Sequence, residues 1–186
     1  MLAVLLEKGQ AGFPRRIILP VFQAAPDRNS TRGSFSLLDG RDWAGRSTTM
    51  ESLGLYSTLA GGLVFTGGDE ARLVETAYVT PGFFETLGMG ALHGRFLAPE
   101  EEYGDNRLLV LSHGYWLREH GGDPEVVGRS LDMEGQAYRV VGIMPPDFAF
   151  PGPEVEAEVA SRLLVATSNL RPICLSARAI LSTNIR

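Results

Sequence analysis

The hydrophobic pattern along this chain predicts many short elements, strands with a few short helices between them. The clearest stretch runs from Leu108 to Pro151. Leu108–Leu111 is an apolar run too short for a helix and suited to a buried strand. Ser112 follows as a helix N-cap, Tyr115, Trp116 and Leu117 supply the bulk of one short amphipathic helix, and Gly121-Gly122 end it. Asp123-Pro124 turns the chain. Arg129–Met133 and Ala137–Met144 are β-prone runs joined at Glu134-Gly135-Gln136, which predicts a hairpin. Pro145-Pro146 stops its second strand, because proline supplies no ladder N–H.

The remaining elements are shorter. Ile17-Ile18-Leu19 and Val21-Phe22 read as one strand interrupted by Pro20, and so as an edge strand. Ser34–Ser47 reads as a short helix weakened by Gly40, with Leu37, Leu38 and Trp43 as its apolar side. Met50–Leu59 alternates as a strand. Leu63–Thr66 and Ala71–Val79 are two more, with the hairpin turn at Gly67-Gly68-Asp69-Glu70. Thr80-Pro81 predicts a capped helix start, with Phe83, Phe84 and Leu87 inward and Gly88 at its end. A short strand is expected near Arg95-Phe96-Leu97, then an acidic loop at Pro99–Glu102. Beyond Ser161 no period links the chain to the core. The pattern predicts an α+β fold in which short helices pack on antiparallel hairpins. Residues 1–33 form a poorly defined leading segment, 34–153 the domain, and 154–186 an atypical tail that reads as truncated or frame-shifted.

Composition narrows the function classes. A hydrophobic content of 44% and a charged content of 21% suit a globular domain. The net charge of −5, without a basic block, argues against nucleic acid. The single cysteine, Cys174, excludes an internal disulfide. The longest early apolar run, Leu2–Leu6, is broken by Glu7-Lys8, so neither a membrane span nor a signal peptide is expected within the chain.

Candidate chemistry is sparse. Glu100, Glu101 and Glu102 are neighbours on a loop, which suits a solvated surface better than converging ligands. His113 and His120 flank one helix seven positions apart, too far for one zinc ion, and His93 sits alone in a loop. Ser112-His113-Gly114 lacks the G-x-S-x-G elbow, so capping explains Ser112 better than nucleophilic attack. Cys174 has no base nearby in sequence. Gly61-Gly62 and Gly67-Gly68 form no phosphate-binding motif and read as hairpin turns. Trp43, Trp116, Tyr56, Tyr115, Phe83 and Phe84 read as core. No catalytic residue, cofactor-binding residue or metal ligand is expected.

Four blocks carry a resemblance. They are Val79–Gly88 followed by Gly94-Arg95-Phe96, then Val110–Trp116, Gly121–Arg129, and Gly135–Phe148 through Phe150-Pro151-Gly152. In this order they resemble the MacB-like periplasmic core domain of ABC-type transporter permeases, in the flavour of the duplicated permeases of acidobacteria, over residues 34–152. The resemblance implies a non-enzymatic extracytoplasmic domain without catalytic residues. It also implies permease helices and an ATP-binding subunit in the parent transporter, an adaptor protein as a partner, and a homodimer. The chain departs from the pattern after Gly152, which suggests a fragment. A free-standing ligand- or peptide-binding module of the same fold is the other reading. A hydrolase using Ser112 with His113 or His120 is a third.

Overall fold

The computed structural model describes residues 16–21, 23–25, 30–33, 42, 45–46, 52–57, 62–68, 70–102, 107–148, 151–152, 155–156, 159–162 and 178–184. The strands are β1 (Arg16–Val21), β2 (Gln23–Ala25), β3 (Ser30–Gly33), β4 (Ser52–Ser57), β5 (Leu63–Phe65), β6 (Arg72–Val74), β7 (Thr76–Val79) and β8 (His93–Gly94). They continue as β9 (Leu108–Leu111), β10 (Ser130–Met133), β11 (Gln136–Ile143), β12 (Pro151–Gly152), β13 (Val155–Glu156), β14 (Val159–Arg162) and β15 (Arg178–Asn184). Two helices matter for packing, α1 (Phe83–Thr86) and α2 (His113–His120). Of the predicted helix at 34–47, Asp42, Gly45 and Arg46 are described and helical, with Arg46 paired to Asp42 at 3.0 Å; the rest, Trp43 included, lies outside the described residues.

One sheet carries the fold, in the order β1-β15-β4-β7-β14-β9-β11-β10-β5-β6, with β8 beside β11. The α+β class holds, but the sheet is mixed. β7 runs parallel to β14, and β9 parallel to β11, while the other pairs are antiparallel. The parallel pair β9–β11 is bridged by α2 and then β10, since a parallel return needs a crossover.

β9 divides two cores. Leu108 and Val110 face one side with Tyr56, Val79, Phe83, Phe84, Leu97 and Ala160. Leu109 and Leu111 face the other with Tyr115, Trp116, Val126, Met133, Val140 and Val159. All four β9 residues are buried, which explains why a continuous apolar run marks this strand. α1 seals the first core directly over Gly54, where a Cβ would stand 2.9 Å from the Phe83 Cα. Phe84 stacks on Phe96 with ring centres 4.0 Å apart. α2 seals the second core. Ser112 Oγ accepts the Tyr115 N–H at 3.1 Å, and Gly121 closes the helix at φ 59°.

In β11 the register shifts between Val140 and Gly142, so Val140 and Ile143 face α2 while Val141 faces α1. β8 pairs antiparallel with β11 at this bulge, Gly94 opposite Gly142. A Cβ on Gly142 would run into the Arg95 carbonyl, and one on Gly94 into the Val141 carbonyl. Only glycine admits that approach. The β10–β11 turn is the predicted one, with Glu134 at φ 55° and Gly135 at φ 71°.

The expected single strand Ala71–Val79 is instead two strands separated by Glu75. β6 ends the sheet order, β7 stands near its middle, and one residue joins them. The sheet is therefore rolled until its β6 end returns to β7. Thr76 fixes this corner: its hydroxyl donates to the Val74 carbonyl at 2.8 Å and accepts the Leu63 N–H at 3.1 Å. The Glu75 carbonyl accepts the Val159 N–H at 3.2 Å.

Other expectations are corrected. Thr80 does not cap α1; its hydroxyl accepts the Leu55 N–H at 3.0 Å, and Gly82 occupies the N-cap at φ 81°. Pro81 thus lies before the helix. The short strand near Arg95 lies at His93–Gly94. β1 is the edge strand expected, yet continuous through Pro20, which pairs with Ile180. Gly62 marks a close approach, since a Cβ there would meet the Val74 carbonyl. The segment after Glu158 supplies two strands of the main sheet. β14 lies between β7 and β9, and β15 between β1 and β4.

The rolled geometry predicts two outcomes. Thr76→Val keeps the side-chain shape but removes two buried hydrogen bonds to the backbone, and should lower stability by about 1–3 kcal/mol. A urea-unfolding loss below about 0.5 kcal/mol would contradict the corner's role. On β7, burial first, then nearby Tyr138 and Glu134, pushes the Tyr78 phenol from 10.0 up to about 12. The folded chain holds this proton more tightly than the unfolded chain, so the group's contribution to stability is complete below pH 10.0 and is lost as pH rises towards 12. Phenolate absorbance should show a late-ionising component that is lost in Tyr78→Phe; a high-pH titration unchanged by that substitution would oppose the placement.

Candidate functional site

The sequence yields no catalytic set, and the candidate side chains are found in structural contacts. Ser112 sits between β9 and α2 as an N-cap, with its Oγ engaged by the helix backbone. Such a cap contributes about 1 kcal/mol. His113 and His93 both turn their rings edge-on to Trp116, at 5.5 and 5.4 Å between centres. His93, read from sequence as isolated, is thus packed from β8 onto α2. The Trp116 indole N–H donates to the Asp123 carbonyl at 2.9 Å and so ties the helix to the turn after it. Asp123 in turn accepts the Glu125 N–H at 2.9 Å, capping a single 3-10 turn.

The acidic loop is only partly the solvated surface expected. Pro99–Glu102 forms a 3-10 turn. Glu101 receives both Arg95 guanidinium nitrogens, at 2.9 and 2.6 Å, and the Ala98 N–H at 2.7 Å. Its hydrogen bond with Arg95, more than any other factor, holds the guanidinium above its ordinary pKa. Glu100 is exposed. Glu101 is thus committed to Arg95 and the Ala98 backbone, while Glu100 is not. Among the described residues no group of three or more His, Cys, Asp or Glu side chains is placed to hold a metal ion. Cys174 lies outside the described residues.

The densest charged cluster, which sequence reading did not single out, joins α2 to β6. Glu119 Oε1 accepts Arg118 Nε at 2.8 Å and Arg72 Nη1 at 2.7 Å. The two arginines, Arg118 first, hold the Glu119 carboxyl below its usual range, against the opposing effect of burial. Both guanidinium groups also lie over the Tyr115 ring, at 5.6 and 5.9 Å. Arg118 is the sequence neighbour of Glu119, but Arg72 is remote from both in the chain; β6 and α2 are brought together by the rolled sheet. The cluster fastens a helix to a strand. It offers no nucleophile and no acid–base pair with separated affinities for protons. Among the described residues no helix is long and apolar enough to cross a membrane.

The motif blocks are explained by these contacts. Val79–Gly88 runs from β7 into α1, and Gly94 meets Gly142 where β8 pairs with β11. Val110–Trp116 carries the end of β9 into α2, and Gly121–Arg129 is the capped exit from that helix. The family model of the MacB-like periplasmic core domain matches residues 4–172. No curated protein matches. Solved structures of the same fold include the periplasmic region of MacB from Actinobacillus actinomycetemcomitans. It has 13% identity and a TM-score of 0.62, over 91% of this chain and 74% of that one. Another is the extracellular domain of the noncanonic ABC-type transporter YknZ from Gram-positive bacteria, at 11% identity and a TM-score of 0.63, over 89% and 83%. A domain of a putative permease protein from Porphyromonas gingivalis follows at 15% identity and a TM-score of 0.57, over 84% and 65%. With the match spanning most of its length and the blocks serving as structural joints, this chain belongs to the MacB-like periplasmic core domain family.

Proposed function

We propose that this domain works as the non-catalytic, extracytoplasmic part of an ABC-type permease, making contact with partners and passing conformational change between them. One observation carries the reading. β1 and β15 are antiparallel neighbours, with Arg16 opposite Asn184. Residues 16 and 184 therefore leave the sheet side by side, about 5 Å apart at the backbone. A domain inserted into a host chain, entered and left at one place, needs that arrangement, because it can then move as a body on a paired stalk.

The interior supports the same reading. Two apolar cores on opposite faces of one rolled sheet make a stiff unit, since packed interiors transmit displacement instead of absorbing it. Ser112, His113 and His93 are held in capping and packing contacts, not aligned for attack. In the parent transporter the domain's partners are the permease helices and an ATP-binding subunit, together with an adaptor protein; a second copy of the domain completes the assembly. The reading predicts that the genomic sequence bordering this chain encodes an apolar helix of about 20 residues before the domain and further such helices after it. A complete reading frame flanked by neither would overturn it.

A further inference from the structure

We propose that His120 is a proton-sensitive latch at the end of α2: neutral, it closes the helix terminus against Tyr115, and protonated, it leaves that seat and loosens the cap. His120 is the last residue of the helix, half-buried, with its ring 5.9 Å from the Tyr115 ring. Its Nε2 is sealed from solvent and finds no hydrogen-bond partner among the described residues. A neutral ring tolerates this seat. Protonation makes both ring nitrogens donors, so a buried charged N–H would face no acceptor there.

The charges around the ring come from every element against it. On α2 itself Glu119 favours the proton, but its Oε1 already accepts Arg72 from β6 and Arg118. From the turn that follows, Asp123 favours it and Arg129 opposes it, with Arg129 itself 3.3 Å from both Asp123 and Glu125. Arg72 opposes it as well. Burial outweighs these influences and holds the imidazole below its ordinary 6.5. A group lowered in this way contributes stability that is complete above pH 6.5 and is lost as pH falls through its folded value.

The consequence is local and falls on a joint. The Gly121 N–H donates to the Leu117 carbonyl at 3.1 Å, and the Gly122 N–H to the Trp116 carbonyl at 3.4 Å, from the two residues that follow His120 in the chain. A charged His120 also becomes a third cation competing for Glu119, which fastens α2 to β6. Acid therefore frees the end of α2 and its hold on the edge strand while both cores remain packed. The inference stands on this geometry and does not need the extracytoplasmic reading.

The test is an NMR titration of the whole chain from pH 7.5 to 4.5, following the His120 ring, the Gly121 and Gly122 amides and the Trp116 indole N–H. The expected result is a His120 midpoint below 6.5. Amide exchange at Gly121 and Gly122, corrected for its intrinsic pH dependence, should rise several-fold over the same range, and His120→Gln should lose that rise while His113→Gln keeps it. A His120 midpoint at or above 6.5 would overturn the latch, as would cap exchange that does not follow His120 or that persists in His120→Gln.

Discussion

The corner at Glu75-Thr76 is the constraint on which the sheet depends. A strand that ran straight from Ala71 to Val79 would leave β6 and β7 in one line and could not bring the far end of the sheet back. At the bend the Thr76 hydroxyl serves backbone groups of both Val74 and Leu63, as donor to one and acceptor from the other. Val159 adds a third hydrogen bond at the Glu75 carbonyl. Rolling the sheet encloses the core under α2, and only then do Arg72 on β6 and Glu119 on α2 meet.

The second constraint is β9. Because both of its faces are buried, the strand cannot slip by one residue without exchanging two cores, so its register is strongly specified. The bulge in β11 lets that strand serve both cores, and the close Gly94–Gly142 pairing holds β8 against it. The charged and aromatic side chains follow from this frame. They cap, stack or clamp, and the sequence motifs that resemble the family coincide with the places where the chain turns or crosses itself.

Much of this was legible from local signals. β9, the Ser112 cap, the Gly121 terminus and the Glu134-Gly135 turn each depend on residues a few positions apart, and each is found where the sequence puts it. What was not legible depends on distant partners. Val159-Ala160-Ser161-Arg162 has no strong period of its own; it becomes a central strand because β7 and β9 lie ready on either side, with Ser161 Oγ donating to the Leu108 carbonyl at 3.1 Å. Thr80 looks like a cap until β4 offers the Leu55 N–H. Glu101 looks solvated until Arg95, six residues back, folds over it. Ser112, His93 and His113 stand as possible reactive groups in the sequence until the fold sets them in capping and packing contacts.

The proposed mode of action requires a stiff body held at one place by two adjacent strands. The most direct test is a distance between spin labels at positions 16 and 184, introduced as Arg16→Cys and Asn184→Cys in a Cys174→Ser background. Paired strands predict strong dipolar coupling, with labels within about 20 Å once their tethers are added to the strand spacing. A separation beyond about 30 Å, several strand spacings away, would contradict the paired exit and with it the proposal that the domain moves as an inserted body.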